Sequence, residues 1–309
     1  MEKSGKVFVA GHETMTGAAI LRRSQAAGYV NLMPDDAAGL VLTDQKMVLD
    51  FFMTERPDYV FITSAKIGGI LANSRFPADF IYTNIQSQTN IIHAAWKSGV
   101  KKLLFLASSC IYPKECPQPM KEEHLLSGKL EPTSEPYAIA KIAGVRMCQS
   151  YRRQYGVNFI SAVPADLYGP MDDFNPETGH VLASLLAKMH RAKNNNQTEM
   201  MVWGTGSPRR ECLHVDDLAD AALFLMDKYD APEMINIGSG KDLSIKEMAG
   251  LIKDVVGFKG DIIFDTSKPD GMPRKLLDSD KISKLGWSPQ IGMEAGIKHT
   301  YEWYINHIK

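Results

Sequence analysis

Short runs of apolar residues alternate with longer amphipathic segments through the first half of the chain. The runs are KVFVA (6–10), YVFIT (59–63), KLLFLAS (102–108) and FISAVP (159–164), and segments of helical length separate them. Uninterrupted valine, isoleucine, leucine and phenylalanine are typical of strands that are covered on both faces. The pattern therefore predicts an α/β fold with a doubly wound, Rossmann-like parallel sheet, whose ligands bind beyond the carboxyl ends of the strands.

This rhythm changes after the fourth apolar run. Turn-forming residues dominate LYGPMDDFNPETGH (167–180) and WGTGSPRR (203–210), and another strand-like run, EMINIGSG (233–240), precedes further helices and strands. We therefore expect a smaller C-terminal substrate lobe that is interwoven with the first domain. The expected division is a dinucleotide-binding domain of residues 1–165 and about 212–240, and a substrate-binding lobe of residues 166–211 and 241–309.

Composition argues against several classes of protein. The 309 residues include 35 basic and 36 acidic side chains, so no bulk charge favours a nucleic-acid or membrane-surface partner. The first apolar run is too short for a signal peptide, and no later run reaches the length of about 18 residues that a membrane helix needs. We expect a cytoplasmic protein. The four cysteines are too scattered for a disulfide framework or a zinc site, so we expect no metal: Cys110, Cys116, Cys148 and Cys212.

The stretch VAGHETMTGAAI (9–20) resembles a nucleotide-binding turn that lacks one glycine. Gly11 follows the first strand-like run and Gly17 opens a helical segment, which is the strand–turn–helix context that binds a pyrophosphate. Thr14 stands where a middle glycine is expected; its hydroxyl can donate a hydrogen bond to phosphate. A plain strand-to-helix turn is the alternative interpretation.

Three residues have the spacing of a tyrosine-dependent oxidoreductase site. Tyr137 and Lys141 lie four residues apart and hence on one face of a helix, and Ser108 follows a predicted strand. A lysine beside a phenol lowers the pKa of the phenol, which can then exchange a proton with a carbonyl or hydroxyl group near neutral pH. The alternative is a chance YxxxK pattern with a solvated lysine.

Long blocks of the sequence resemble the extended short-chain dehydrogenases/reductases and, within them, the GDP-L-fucose synthases. The blocks are spread over nearly the whole chain and are more specific than the YxxxK pattern. The main ones are AKIGGILAN (65–73), LASSCIYPK (106–114), EPYAIAKIAG (135–144), LYGPMDDFNPETGHV (167–181), VWGTGSPRRECLHVDDLA (202–219) and FDTSKPDGMPRKLLD (264–278).

The resemblance implies an enzyme that epimerises the two carbons beside a sugar ketone and then reduces the ketone with hydride from a nicotinamide. One group must remove the acidic ring proton and another must return a proton to the opposite face. By the family's pattern these groups are Cys110 and His180, whose ordinary pKa values suit exchange near neutral pH. Without the resemblance, the favoured interpretation of Cys110 is a small buried packing residue, and that of His180 is a loop or N-cap side chain.

The resemblance also assigns binding residues. The expected catalytic set is Ser108, Cys110, Tyr137, Lys141 and His180. A GDP-sugar substrate is expected to contact Lys188, Trp203, Arg210, Asp270 and Lys275, the last two less securely placed. The cofactor is expected to contact Gly11, Glu13, Thr14, Met15, Gly17, Asp35, Asp36, Asp44, Lys141, Leu167 and His180.

Two departures from the family's pattern lie around the cofactor. Family members that use NADP hold its 2′-phosphate with arginines, whereas this chain has Glu13 in the turn and Asp35 and Asp36 after the second strand. Carboxylates near the ribose repel a phosphate, so we expect NAD(H) to be favoured, with NADP(H) the alternative. Asp166 stands where the family commonly has asparagine, near the expected end of the nicotinamide.

Other functions stay open at this point. The chain could act on a related GDP-sugar, such as a keto-heptose or a dideoxy sugar. It could also keep NAD bound and catalyse dehydrogenation, epimerisation or dehydration without net redox. A nucleotide-sensing scaffold without catalysis is a third alternative, although such proteins usually lose the tyrosine or the lysine. Relatives commonly pair through the helix that carries the YxxxK motif, so we expect a homodimer.

Overall fold

The computed structural model of the chain describes residues 1–34, 39–63, 65–268 and 270–308. The strands are β1 (Val7–Ala10), β2 (Leu32–Pro34), β3 (Tyr59–Ile62), β4 (Lys102–Leu106), β5 (Phe159–Pro164), β6 (Asp166–Tyr168), β7 (Glu199–Trp203), β8 (Arg209–His214), β9 (Ile235–Ile237), β10 (Asp242–Ser244), β11 (Asp261–Asp265) and β12 (Arg274–Lys275). The helices are α1 (Met15–Ala26), α2 (Gln45–Glu55), α3 (Ile70–Arg75), α4 (Pro77–Ser98), α5 (Glu135–Tyr155), α6 (Val181–Asn194), α7 (Val215–Lys228), α8 (Ile245–Val256), α9 (Asp280–Lys284) and α10 (Met293–His307).

The large sheet has six parallel strands in the order β2-β1-β3-β4-β5-β9. All residues of β1, β3, β4 and β5 are buried, because α1, α2, α4, α5 and α7 supply the apolar residues around them. This arrangement confirms the α/β fold and the parallel sheet predicted from the continuous apolar runs. The strand order reverses between β1 and β3, where doubly wound sheets open a crevice for ligands.

A second layer of short strands lies after β5. Strand β8 pairs with β10, β12 and β6, and β7 pairs in parallel with β11. A separate apolar core forms here around Leu186, Met248 and Ile297. Leu277 and Trp287, which follow β12, pack instead into the core of the large sheet. The chain therefore crosses more than once between the two cores; the expected domain boundaries stay a prediction.

The carboxyl ends of the parallel strands bring distant residues together. Strand β1 leads into the glycine turn, β4 leads into Ser108, and β5 leads through Ala165 into β6. The short helical turn at Ser109–Ile111 places Cys110 beyond the end of β4. In the described part of the chain, none of the helices has both the length and the apolar character to span a bilayer.

Candidate active site

The glycine turn has the geometry of a dinucleotide-binding loop. Gly11 has a φ of +85°, a conformation that side chains with a Cβ adopt at a cost. A Cβ added to Gly17 would lie 2.1 Å from the carbonyl oxygen of Gly11, so only glycine allows α1 to begin this close to β1. Helix α1 begins directly after this turn, which follows the carboxyl end of β1, and the amino end of a helix in such a position fits a pyrophosphate.

Thr14 has a structural task within the glycine turn. It is the N-cap of α1: its Oγ1 accepts a hydrogen bond from the N–H of Gly17 at 3.1 Å and donates one to the carbonyl oxygen of Gly11 at 2.7 Å. The hydroxyl hydrogen is therefore already used within the loop. In this structure the threonine caps α1 and shapes the turn, and its donation to a phosphate stays a prediction.

The remaining cofactor candidates are dispersed. Met15 is buried in the first turn of α1, Glu13 is exposed beside it, and Leu167 is half-buried in β6. Asp44 caps α2, since its Oδ1 accepts a hydrogen bond from the N–H of Met47 at 2.9 Å. Asp35 and Asp36, on which the expectation of NAD(H) partly depends, lie outside the described residues.

Ser108, Tyr137 and Lys141 meet where β4 ends against the first turns of α5. The Tyr137 hydroxyl is hydrogen-bonded to Ser108, and Phe80 packs edge-on against the tyrosine ring at 6.4 Å between centroids. Lys141 is 2% exposed; its Nζ lies 6.0 Å from the centre of the Tyr137 ring and donates a hydrogen bond to the carbonyl oxygen of Leu106 at 3.0 Å. The predicted trio therefore forms one group.

Burial dominates the ionisation of this trio. It raises the pKa of the Tyr137 phenol above its ordinary value, the nearby Cys110 raises it further, and the hydrogen bond with Ser108 opposes both. It also lowers the pKa of Lys141 to about 7. Burial thus raises the pKa of the phenol and disfavours the charged form of the amine in this structure, and the lowering of the phenol's pKa by the lysine stays a prediction.

Cys110 lies on the other side of Ser108, next to a charged pair. The Nζ of Lys275 is 3.7 Å from the Sγ of Cys110 and 2.8 Å from the Oδ1 of Asp166. Burial would raise the pKa of Asp166, but Lys275, His180 and Arg210 together hold it below its ordinary value. Cys110 is half-buried and faces this pair, so its surroundings differ from those of a packing residue.

His180 completes the group at the amino end of α6. It occupies the N-cap position of α6, and its side chain makes no capping hydrogen bond. The surrounding protein lowers the pKa of His180 by desolvation, and the charge of Asp166 opposes that effect. Ser108, Cys110, Tyr137 and Lys141 thus lie together beyond the carboxyl end of β4, and His180 interacts with this group through the charges of Asp166 and Lys275.

Two of the expected substrate residues, Lys188 and Trp203, lie together. Trp203 is 56% exposed, with the Nζ of Lys188 and that of Lys268 each 5.6 Å from the centre of its ring. This is an open aromatic platform flanked by cations. Arg210 donates to the backbone carbonyl of Met272 at 2.7 Å.

The two less securely placed residues of that set have other partners. Asp270 accepts hydrogen bonds from the N–H and hydroxyl of Thr205 at 2.9 and 2.7 Å, so it ties two loops together. Lys275 lies with the catalytic cluster rather than with the platform.

Glu211 was not predicted. It is 2% exposed, and its carboxylate accepts hydrogen bonds from the N–H groups of Leu277 at 2.8 Å and Gly240 at 2.7 Å. Burial raises the pKa of Glu211 to about 7 against the effect of these bonds. It holds the segment after β12 against β8 and so places Lys275. A carboxylate at an inward-facing position of a strand-like run is a signal that could have revealed it.

Comparisons with known proteins agree with this geometry. Residues 7–238 match the model of the NAD dependent epimerase/dehydratase family. The chain is 54% identical to GDP-L-fucose synthase 1 of Arabidopsis thaliana, over 99% of this chain and 95% of that protein. It is 50% identical to GDP-L-fucose synthase of Escherichia coli K12, with 98% and 97% covered. A GDP-mannoheptose C4 reductase from Campylobacter jejuni, solved with NADP bound, superimposes with a TM-score of 0.90 at 41% identity, with 99% of each chain covered.

Proposed function

The chain belongs to the NAD-dependent epimerase/dehydratase family, and we propose that it is an epimerase-reductase that converts a GDP-4-keto-6-deoxy sugar to a GDP-L-fucose-like product. One observation carries the assignment of chemistry. A phenol, an amine and a hydroxyl adjoin a thiol, and a cation and carboxylate connect that thiol to an imidazole. Reduction and two-sided proton exchange both need such groups around one carbonyl.

Cys110 and His180 perform the epimerisation in this proposal. The thiolate of Cys110 removes the proton from a carbon beside the ketone: the C–H bond breaks, an S–H bond forms, and the electron pair moves to the carbonyl oxygen as an enolate. His180 then returns a proton to the opposite face of that carbon, and the ketone re-forms with inverted configuration. His180 keeps an exposed surface at the amino end of α6, which suits a group that exchanges protons with water.

Tyr137, Ser108 and Lys141 serve the reduction. The bound dinucleotide supplies the hydride. The Tyr137 hydroxyl donates its proton to the ketone oxygen, and the Ser108 hydroxyl, hydrogen-bonded to Tyr137, orients the same oxygen. A phenol that burial keeps protonated is ready to act as this acid. Lys141, with a pKa near 7, can replace the proton that Tyr137 gives up.

The GDP moiety binds at the platform formed by Trp203 and Lys188. An exposed indole offers a face for a base or a sugar, and the ammonium of Lys188 offers a charge to the diphosphate. Arg210 contributes a second cation from β8. We therefore expect the nucleotide to lie along the short strands of the second layer, with the sugar ring toward Cys110.

NADP(H) is the proposed dinucleotide, against the expectation from sequence. The Campylobacter jejuni relative was solved with NADP, and the carboxylate argument for NAD(H) depends on Asp35 and Asp36, which are not described, and on Glu13, which is exposed. An exposed carboxylate is well screened by water, so it repels a 2′-phosphate weakly. Comparison of kcat/KM with NADPH and NADH decides this point.

A heptose substrate is the second candidate. The relative with the heptose name shares 41% identity over 99% of each chain. Such an enzyme uses the same Tyr137-centred reduction on a GDP-linked keto-heptose. Relative kcat/KM on the 6-deoxyhexose and the heptose substrates separates the two candidates.

We further propose a cytoplasmic homodimer that pairs through α4 and α5. These helices pack together and present exposed apolar side chains, with Tyr82 at 65% and Ile139 at 41% exposed. Light scattering on the purified protein tests the pairing, and Ile139→Glu is expected to yield monomer.

The activity itself is tested with purified protein, GDP-4-keto-6-deoxy-mannose and NADPH. We expect loss of absorbance at 340 nm, with about one NADPH oxidised per product, and a GDP-L-fucose spectrum by NMR. Substrate-dependent oxidation of neither NADPH nor NADH would refute the reductase assignment.

A further inference from the structure

The ammonium of Lys275 is held between a carboxylate and a thiol. Its Nζ lies 2.8 Å from the Oδ1 of Asp166 and 3.7 Å from the Sγ of Cys110. The side chains of Lys275 and Asp166 are 13% and 25% exposed, so water screens the pair only in part. An ammonium has three N–H donors, and two of them have partners here.

Strand pairing and hydrogen bonds fix the positions of Lys275 and of its partner Asp166. Strands β6 and β12 both pair with β8, which sets Asp166 opposite Cys212 and Lys275 opposite Arg210. Ser109 donates a hydrogen bond to the Oδ1 of Asp166 at 3.4 Å.

The segment that carries Lys275 is fixed by backbone hydrogen bonds. The N–H of Leu276 donates to Gln118 at 2.9 Å, and the N–H of Leu277 donates to Glu211 at 2.8 Å. Lys275 is therefore anchored on both its backbone and its side chain, unlike a flexible surface lysine.

The pair is charged. Burial would lower the pKa of Lys275, but Asp166 and Cys110 raise it above its ordinary value. A cation next to a sulfur favours the thiolate, which is the nucleophilic and basic form of cysteine. The other titratable or charged groups coupled to this pair or to the thiol are Tyr137, His180, Arg210, Glu211 and Cys212.

We propose that Lys275, held in place by Asp166, is a positioning residue whose ammonium, 3.7 Å from the Sγ of Cys110, stabilises negative charge on that sulfur. The oxygen of Asp166 orients the ammonium, because it accepts a hydrogen bond from the Nζ of Lys275 at 2.8 Å. The role differs from the contact with the GDP-sugar that the sequence resemblance implied for Lys275. The meaning of the thiolate in turnover rests on the proposed function, but the contact between cation and thiol does not.

The first test needs no substrate. Iodoacetamide alkylation of Cys110 is followed by peptide mass spectrometry from pH 5.5 to 9, with denatured protein as the reference for intrinsic reactivity. We expect Lys275→Met to slow alkylation at pH 7 at least about tenfold, which corresponds to a displacement of the profile by about one pH unit. Lys275→Arg keeps a cation and is expected to recover most of the wild-type rate.

Variants of Asp166 separate the effect of its charge from the effect of its hydrogen bond with Lys275. In Asp166→Asn the amide oxygen can still accept from Lys275, so alkylation is expected to be no slower than in the wild type. Lys275→Met leaves Asp166 unpaired, which could itself disfavour a thiolate or unfold the chain. The double variant Asp166→Asn, Lys275→Met removes both charges and is expected to fold and to stay slower than the wild type. A wild-type profile for Lys275→Met, or for the double variant, would overturn the proposal.

Turnover gives the second readout. With the GDP-4-keto sugar, Lys275→Met is expected to slow solvent deuterium exchange at the ring carbons at least about tenfold, with KM within about twofold of the wild type. A diphosphate ligand would show the reverse, a raised KM with kcat retained, and that result would contradict the proposal. If the wild type has no activity on any GDP-sugar, the proposed function fails, while the alkylation result still decides the role of Lys275.

Discussion

Replacement of Lys141 by methionine tests the electrostatics of the oxidoreductase group. Lys141 is 2% exposed, and burial lowers its pKa from 10.5 in water to about 7. Between these values the unfolded chain binds a proton that the folded chain does not bind. The free energy of unfolding therefore rises with pH across this window: the contribution of Lys141 is complete above 10.5 and is lost as the pH falls through about 7.

The magnitude follows from the linkage relation. One bound proton is worth about 1.4 kcal/mol per pH unit, and the lysine is half titrated at the lower end of the window. The difference in unfolding free energy between wild type and Lys141→Met is thus expected to widen by about 3 kcal/mol from pH 7 to pH 9.5 in favour of the wild type. Methionine is chosen because it fills a similar volume without an amine.

Urea denaturation at a series of pH values measures this difference. Lys298→Met serves as the control, since Lys298 is exposed and its amine stays in water in both states. Parallel stability profiles for wild type and Lys141→Met would refute the reasoning, because they would mean that Lys141 is charged in the folded protein at neutral pH.

Three other changes have defined outcomes. Tyr137→Phe is expected to lower kcat for ketone reduction by about 10²- to 10⁴-fold while leaving deuterium exchange at the ring carbons intact, as measured by NMR; loss of exchange would contradict the division of roles. Thr14→Ala is expected to cost about 1 kcal/mol of stability by calorimetry with KM for the dinucleotide within about twofold, whereas Thr14→Ser is expected to keep the cap; a large rise in KM for Thr14→Ala would restore the phosphate contact. Trp203→Ala is expected to raise KM for the GDP-sugar about tenfold with kcat retained, and an unchanged KM would remove the platform from the binding site.

Local patterns were enough to predict the main sheet. The runs that became β1, β3, β4 and β5 are apolar at every position, and this composition has few solutions other than strands covered on both faces. Of the short strands after β5, the sequence predicted the one that became β9, within residues 233–240, but it did not predict the others individually. The two residues of β12 owe their conformation to β8, which is more than sixty residues earlier in the chain, as residue numbers 209–210 and 274–275 show.

The sequence predicted which residues form the candidate site, but it did not predict their charge states or their tertiary contacts. The order of Ser108, Tyr137 and Lys141 along the chain and their position at strand and helix ends gave the oxidoreductase group. The charge states did not follow, because a spacing of four residues says nothing about how deeply Lys141 is buried. Asp166 was noticed as a departure, but its partner is 109 positions away and lies in a different strand. Such contacts depend on tertiary packing.

The Cys110→Ser variant tests most directly whether one cluster of side chains carries two separable reactions, epimerisation and reduction. The protein is mixed with GDP-4-keto-6-deoxy-mannose in D₂O, and NMR follows deuterium at the ring carbons with and without NADPH. We expect the wild type to exchange deuterium at the carbons beside the ketone. Cys110→Ser is expected to show no exchange but still to reduce the ketone to an unepimerised product. Equal loss of exchange and reduction, or exchange that survives without the thiol, would contradict it.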